Sequence, residues 1–346
     1  MNQLLLASLG WLATFAHPSD ELKRERLPAD VDFVVHIDVD GFKATQLWKH
    51  ISEKGKDLDF DIDELDEVRD ELGIDPLTDV RAVTLYKIES EEDPTVVLFS
   101  STPKIDEALA KHQKERGYKK ITSSGIELHT WGDADDPDDD DRMFAYVHPA
   151  GQERIVVVAS NEASAVRAAR VLRGEDPSHA SAGTLLTLAP APGSFLYVAA
   201  AEIPHLGDIP PASQVFGLAQ GIQVDLAEAG GFLRAHMGVR TGSPEDALNI
   251  SNVINGLVSL ARLAGSELGE LLELLTGIRL NTRGSEVLFD FEFGVDRLIE
   301  ILEELHAQEN QPDQARPDDP GGSTDQGGQR VRVKHKHKSG DKQGNK

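Results

Sequence analysis

The feature that most constrains this chain is a period of two. Phe33, Val35, Ile37 and Val39 fall on one side of an extended segment, with Asp32, His36, Asp38 and Asp40 opposite. Phe289, Phe291 and Phe293 oppose Asp290 and Glu292 in the same way. Successive side chains of a strand point to opposite faces. Such segments predict antiparallel sheet with one face packed and one wet, whereas parallel α/β sheets carry continuous apolar runs. Spacings of three and four at Ile250, Ile254, Leu257 and Ala261, and at Leu298, Leu302 and Leu305, predict helices that cover those sheets.

The alternating pattern occurs twice. Leu27 to Val35 lies over Ala189 to Tyr197 without gaps, matching Pro28 to Pro190, Ala29 to Ala191 and Phe33 to Phe195, with the acids Asp40 and Glu202 each seven positions after the Phe. Each half then has a hydroxyl residue before proline and two acids, at Thr102-Pro103 and Ser243-Pro244. This is helix-start chemistry: the hydroxyl caps free N–H groups, proline suits the first turn, and carboxylates favour the positive end of the dipole. A hairpin and a terminal helix close each half. Phe144–Pro149 and Arg154–Ser160 turn at Ala150-Gly151 and lead into Asn161–Leu172. Ile278–Thr282 and Glu286–Phe293 turn at Arg283-Gly284 and lead into Val295–His306.

With 346 residues the chain exceeds the roughly 250 to 300 at which single cores stop growing. The expected architecture is α+β, with two pseudo-repeated halves of mainly antiparallel sheet under helices. They span 27–174 and 189–306, joined by a linker at 175–188, with a groove between them as the natural ligand site. Residues 307–346 turn to Gln, Asp, Pro, Gly and Ser without an aromatic residue and predict a disordered tail.

Leu4 to Ala16 is an apolar run of thirteen residues, too short for a bilayer core that needs about 20. With Thr14-Phe15-Ala16 as a small-x-small cleavage pattern, residues 1–16 read as a signal peptide and 17–26 as a linker, although no Lys or Arg precedes the run. The chain is therefore expected to be exported, periplasmic or extracellular. The absence of cysteine excludes disulfides, thiolate metal sites and thiol nucleophiles. A formal net charge of −25 disfavours nucleic-acid or membrane-surface binding by the folded body. The last seventeen residues differ, with seven Lys or Arg against one acid, and could hold an anionic envelope polymer.

The candidate chemistry is sparse. His36, Asp38 and Asp40 share a strand side, but two-residue steps of about 6.6 to 7 Å keep all three from one ion unless His129 or His148 joins them. A solvated face is the plainer reading. The acidic runs Asp57–Glu64 and Asp133–Asp141 lack the glycine and glutamate that an EF-hand loop places at its sixth and twelfth positions. Ser101-Thr102-Pro103-Lys104 matches S-x-x-K, yet its companion motifs are missing from the body and capping explains it better. Asn249-Ile250-Ser251 is a formal sequon inside a predicted helix. G-x-S-x-G, H-E-x-x-H, Walker A and G-x-G-x-x-G are all absent. No catalytic residue, metal ligand or cofactor is assigned.

The run LPADVDFVVHIDVDGFKATQLWKHI, Leu27 to Ile51, resembles the opening of uncharacterised secreted bacterial proteins, the planctomycete-type and DUF3352-like group. The resemblance covers about the first 60 mature residues. It implies an envelope or secreted α+β protein and carries over no catalytic residue. The expected function is a non-enzymatic extracytoplasmic binding or structural protein, the alternative a hydrolase or metal enzyme using His36, Asp38 and Asp40.

Overall fold

Strand β1 (Val31–Asp38) lies at the middle of a twelve-stranded antiparallel sheet. The computed structural model describes residues 21–54, 65, 69–70, 73–88, 95–114, 117–132, 142–182, 185, 190–201, 217–263 and 277–309. Outward from β1 on one side run β2 (Val80–Ile88), β3 (Val96–Ser101), β7 (Glu153–Ala159), β6 (Met143–Ala150), β5 (Ile126–Trp131) and β4 (Lys119–Ser123). On its other side run β8 (Ser194–Ala200), β9 (Ala219–Ala229), β10 (Phe232–Thr241), β12 (Glu286–Gly294) and β11 (Ile278–Arg283). We call these the first and second arms.

Seven helices accompany the sheet among the described residues: α1 (Val39–Lys43), α2 (Gln46–Lys54), α3 (Lys104–His112), α4 (Glu162–Leu172), α5 (His179–Ala182), α6 (Pro244–Leu263) and α7 (Val295–Glu309). The α+β class with a large antiparallel sheet is as expected, and both predicted hairpins form. Their two-residue turns need the left-handed backbone that glycine adopts without strain, supplied by Gly151 and Gly284 at φ 65° and 59°. The expected groove between halves is replaced by a ladder. β1 pairs with β8 from Phe33 opposite Ala200 to Ile37 opposite Leu196, so backbone hydrogen bonding fills the seam.

Alternation assigns each strand two sides, and register carries these sides across the sheet. Val34, Tyr86, Val96 and Ala159 stand opposite one another on β1, β2, β3 and β7. This Val34 side holds the main core with Leu27, Leu98, Leu128 and Val157. Helix α4 covers it through Ala165, Ala168 and Ala169, whose small side chains let the helix lie close to the strands. Asn161 starts α4, its side chain accepting from Ser164 N at 2.8 Å. On the opposite side, the Val35 side, Val83 and Phe99 pack with Val39 of α1 and with Ile105 and Ala108 of α3. The first arm is thus covered on both sides.

In the second arm β8 and β9 still bury Tyr197, Ala199 and Asp225 on the Val34 side, and only the outer strands β10, β12 and β11 are covered on one side. Helix α6 sets Ala247, Ile250 and Ile254 on Val239, Val287, Met237 and Phe289, all on the Val35 side. Burying Val239, Ile250 and Val287 there contributes about 1.5 to 3 kcal/mol each. The expected stripe is corrected at its far end: Leu257 is exposed, as is Leu302 of α7, where Ile301 is the buried anchor instead. A helix wider than its contact stripe leaves flanking leucines to solvent. Besides the β1–β8 ladder, links between the two sides include Glu228 of β9, which accepts from the backbone N–H groups of Gln46 and Leu47 at the start of α2, and Glu303 of α7, which pairs with His50 and Lys54.

The two proposed helix starts differ. Ser243 caps α6, its Oγ accepting from Asp246 N at 3.1 Å, with Pro244 as first residue. Thr102 does not cap α3: its hydroxyl turns to Asp79, and α3 begins after Pro103 with no side-chain cap.

Candidate functional site: a polar row across the sheet

Register places seven polar residues side by side on the Val34 side, one per strand: Thr84, His36, Tyr197, Asp225, His236, Asp290 and Arg279. At about 4.8 Å per strand the row spans roughly 29 Å. It begins in the covered first arm and ends in the open second arm, so burial falls along it. His36, Tyr197 and Asp225 are buried, whereas the side chains of His236 and Asp290 are 43% and 55% exposed.

Each buried member has a specific partner. His36 Nδ1 and Thr84 Oγ1 lie 2.8 Å apart. Gln223 Nε2 donates to Tyr197 Oη, and Ser194 Oγ donates to Asp225 Oδ1 at 3.0 Å. Burial pushes the Tyr197 hydroxyl up to about 12 and so keeps it protonated. Burial also raises the Asp225 carboxyl, opposed by the Ser194 hydrogen bond and by neighbouring His236. At the open end His236 Nδ1 sits 2.7 Å from Asp290 Oδ1, and Arg234 Nε donates to Glu292 Oε2 at 2.9 Å one step along the same strands. The imidazole therefore stands between two carboxylates, one bonded directly and one across the ladder on β9. Chemically this is a hydrogen-bonding surface with an imidazole at its centre.

The candidates from sequence do not converge. His36 and Asp38 are 5% and 1% exposed, so the expected solvated face is corrected. Their side is covered, while Ile37 on the expected apolar side is 38% exposed. Asp38 caps α1 by accepting from Gly41 N at 2.9 Å, and Asp40 pairs with Lys43 at 3.0 Å. His129 lies on the Val35 side, the opposite face from His36, with its Nδ1 2.9 Å from Tyr118 Oη and its ring stacked with Tyr118 and Trp131. His148 shares the face of Asp38 but stands four strands away, roughly 19 Å. Among the described residues no group of three or more His, Asp and Glu is placed to hold a metal ion.

Ser101 and Lys104 are also separated in role: Ser101 Oγ donates to the Thr102 carbonyl, and Lys104 pairs with buried Asp79 at 2.9 Å. The sequon serine, Ser251, is buried within α6. Both acidic runs, the apolar N-terminal run and the basic tip lie outside the described residues.

His236, Asp225 and Tyr197 were missed by sequence reading. A signal was present, because Leu233, Ala235, Met237 and Val239 alternate with Arg234, His236 and Arg240. What joins them to Asp290 is register, which one strand alone does not reveal.

No family model matches the chain, and no curated protein matches it. Solved structures that resemble it include crystal forms I, III and IV of TP0453, at 12%, 10% and 10% identity and TM-scores of 0.40, 0.41 and 0.42. These alignments cover 83%, 81% and 82% of this chain and 98%, 97% and 97% of the other. A likeness at that level carries no argument about what this chain binds or does. Among the described residues, no helix is long and apolar enough to cross a membrane.

Proposed function

We propose that this chain is an exported, non-enzymatic binding or structural protein of the periplasm or extracellular space, with the open side of its second arm as the working surface. One observation carries the reading: the polar groups of the covered strands are engaged in capping and pairing the fold, whereas His236, Asp290, Arg279 and Arg283 on the outer strands β10, β12 and β11 stand in solvent on one sheet face. Export rests on the apolar run Leu4 to Ala16 and its cleavage pattern.

We also propose that the two halves are duplicates. What supports this is the order of elements: β1, β2, β3, a helix, the β6–β7 hairpin and α4 in one, and β8, β9, β10, a helix, the β11–β12 hairpin and α7 in the other. The first half adds the β4–β5 hairpin. The β1–β8 register fits too, because Val35 faces Val198 and His36 faces Tyr197, a reciprocal arrangement when Phe33 is equated with Phe195.

Cell fractionation with mass spectrometry of the N-terminus tests export; an intact Met1 in the cytosol overturns it. For the working surface, capture of envelope components by the wild type is compared with His236→Ala/Asp290→Ala and with His36→Ala. Loss confined to the second-arm variant is expected, and equal capture by all three overturns the assignment.

A further inference from the structure

We infer that the outer edge of β11 is a docking strand for an extended peptide that alternates acidic and apolar residues. The inference rests on the second arm being the working side, and it names the partner's chemistry. Strand β11 ends the sheet, and among the described residues it pairs only with β12.

Gly277 O accepts from Glu292 N, which fixes the phase of the ladder. By the alternation of antiparallel pairing, Arg279, Asn281 and Arg283 bond inward to β12, while Ile278, Leu280 and Thr282 turn their N–H and C=O groups outward. The outward N–H of Thr282 is already taken, donating to Asn281 Oδ1 at 2.8 Å. The donors at Ile278 and Leu280 remain directed at the edge.

Side chains add a two-sided code. Arg279, Asn281 and Arg283 project on the open Val34 side and are exposed. Neither arginine makes an ion pair with a described residue, although the chain has 60 acids for 35 bases. Asp290, opposite Arg279, is engaged inward on His236, and Glu286 stands opposite Arg283 in the last pair of the hairpin without closing an ion pair with it. On the other side Leu280 packs into the cluster under α6. An added strand would therefore place carboxylates beside Arg279 and Arg283, where guanidinium forks bind them bidentately, and apolar side chains beside Ile278 and Leu280. The body's acidity does not forbid this, since charges beyond about 8 Å are largely screened at physiological salt.

A second copy of this chain fits poorly. An antiparallel β11–β11 pair would face arginine with arginine, and the opposite sheet edge, β4, carries Lys119 and Lys120. Charged edge strands also guard sheets against self-pairing. That guarding role alone requires that acidic peptides bind no better than basic ones.

The test uses the full chain and a short synthetic peptide alternating Glu and Val, with a Lys/Val peptide as control, read by fluorescence anisotropy and by hydrogen exchange at residues 278–283. The Glu/Val peptide should bind, protect β11 and weaken with added salt. Arg279→Glu/Arg283→Glu should lose at least about tenfold in affinity, as should Ile278→Pro, which removes an outward donor at a position where an edge strand tolerates proline. Arg279→Gln/Arg283→Gln serves if the charge reversal fails to fold. Equal binding of both peptides, unchanged affinity in the variants, protection elsewhere, or concentration-dependent protection of β11 without peptide overturns the inference. Because these variants leave His236 and Asp290 in place, failure here is distinct from failure of the envelope-capture test.

Discussion

The two arms share one sheet and one alternating pattern, yet they use it differently. In the outer strands of the second arm the polar side is wet, as Asp290 shows, and α6 covers only the apolar side. In the first arm the polar side is the more deeply buried one, with His36 and Asp38 beneath a covered surface. Alternation tells which residues share a side. It does not tell which side the rest of the chain will cover, and a strand at the middle of a wide sheet can be covered on both.

That contrast can be broken or sharpened by substitution. The largest effect belongs to Ile250→Ala, which removes the fully buried anchor of α6 and should cost about 2 to 5 kcal/mol in denaturant unfolding. Leu257→Ala, exposed on the same helix, should stay within about 0.5 kcal/mol. Equal costs would mean that α6 does not seat on the sheet as described.

Next comes the polar row itself. Thr84→Val removes the hydroxyl beside buried His36 Nδ1 and should cost about 1 to 3 kcal/mol, because the group left behind is out of water. His236→Ala breaks an exposed pair with Asp290 and should cost no more than about 1 kcal/mol. If the second matches the first in urea unfolding, the burial gradient along the row is wrong.

The smallest effect is on pH. Burial holds His129 and His148 in the first half, and His179 in the segment that follows it, below the ordinary value of 6.5. A folded imidazole that resists protonation binds fewer protons than the unfolded chain, so stability is full above 6.5 and is lost as pH falls below it toward the depressed native values. The melting temperature should drop between about pH 7.5 and pH 5.5, across the range in which histidine titrates. His129→Gln should reduce that drop, and an unchanged drop would show that His129 is not a source of it.

Much of the fold was legible because its signals are local. Turn glycines at 151 and 284, the Ser243 cap and the alternation around Phe289 each act within a few residues. Thr102 shows the limit: its hydroxyl had a local role available, but Asp79, distant in sequence, claimed it. The candidate site was less legible for the same reason. Asp225, His236 and Asp290 become neighbours only through two ladders, and His129 and His36 part company because register sends them to opposite faces.

The seam between β1 and β8 has a consequence for how this chain is made. The most central strand leaves the ribosome some 160 residues ahead of its second neighbour. At roughly 5 to 20 residues per second, Val31–Asp38 waits on the order of ten seconds or more with one row of amides unsatisfied. Completion of the nascent sheet is thereby deferred, and until β8 arrives the newborn chain carries an open template at its middle.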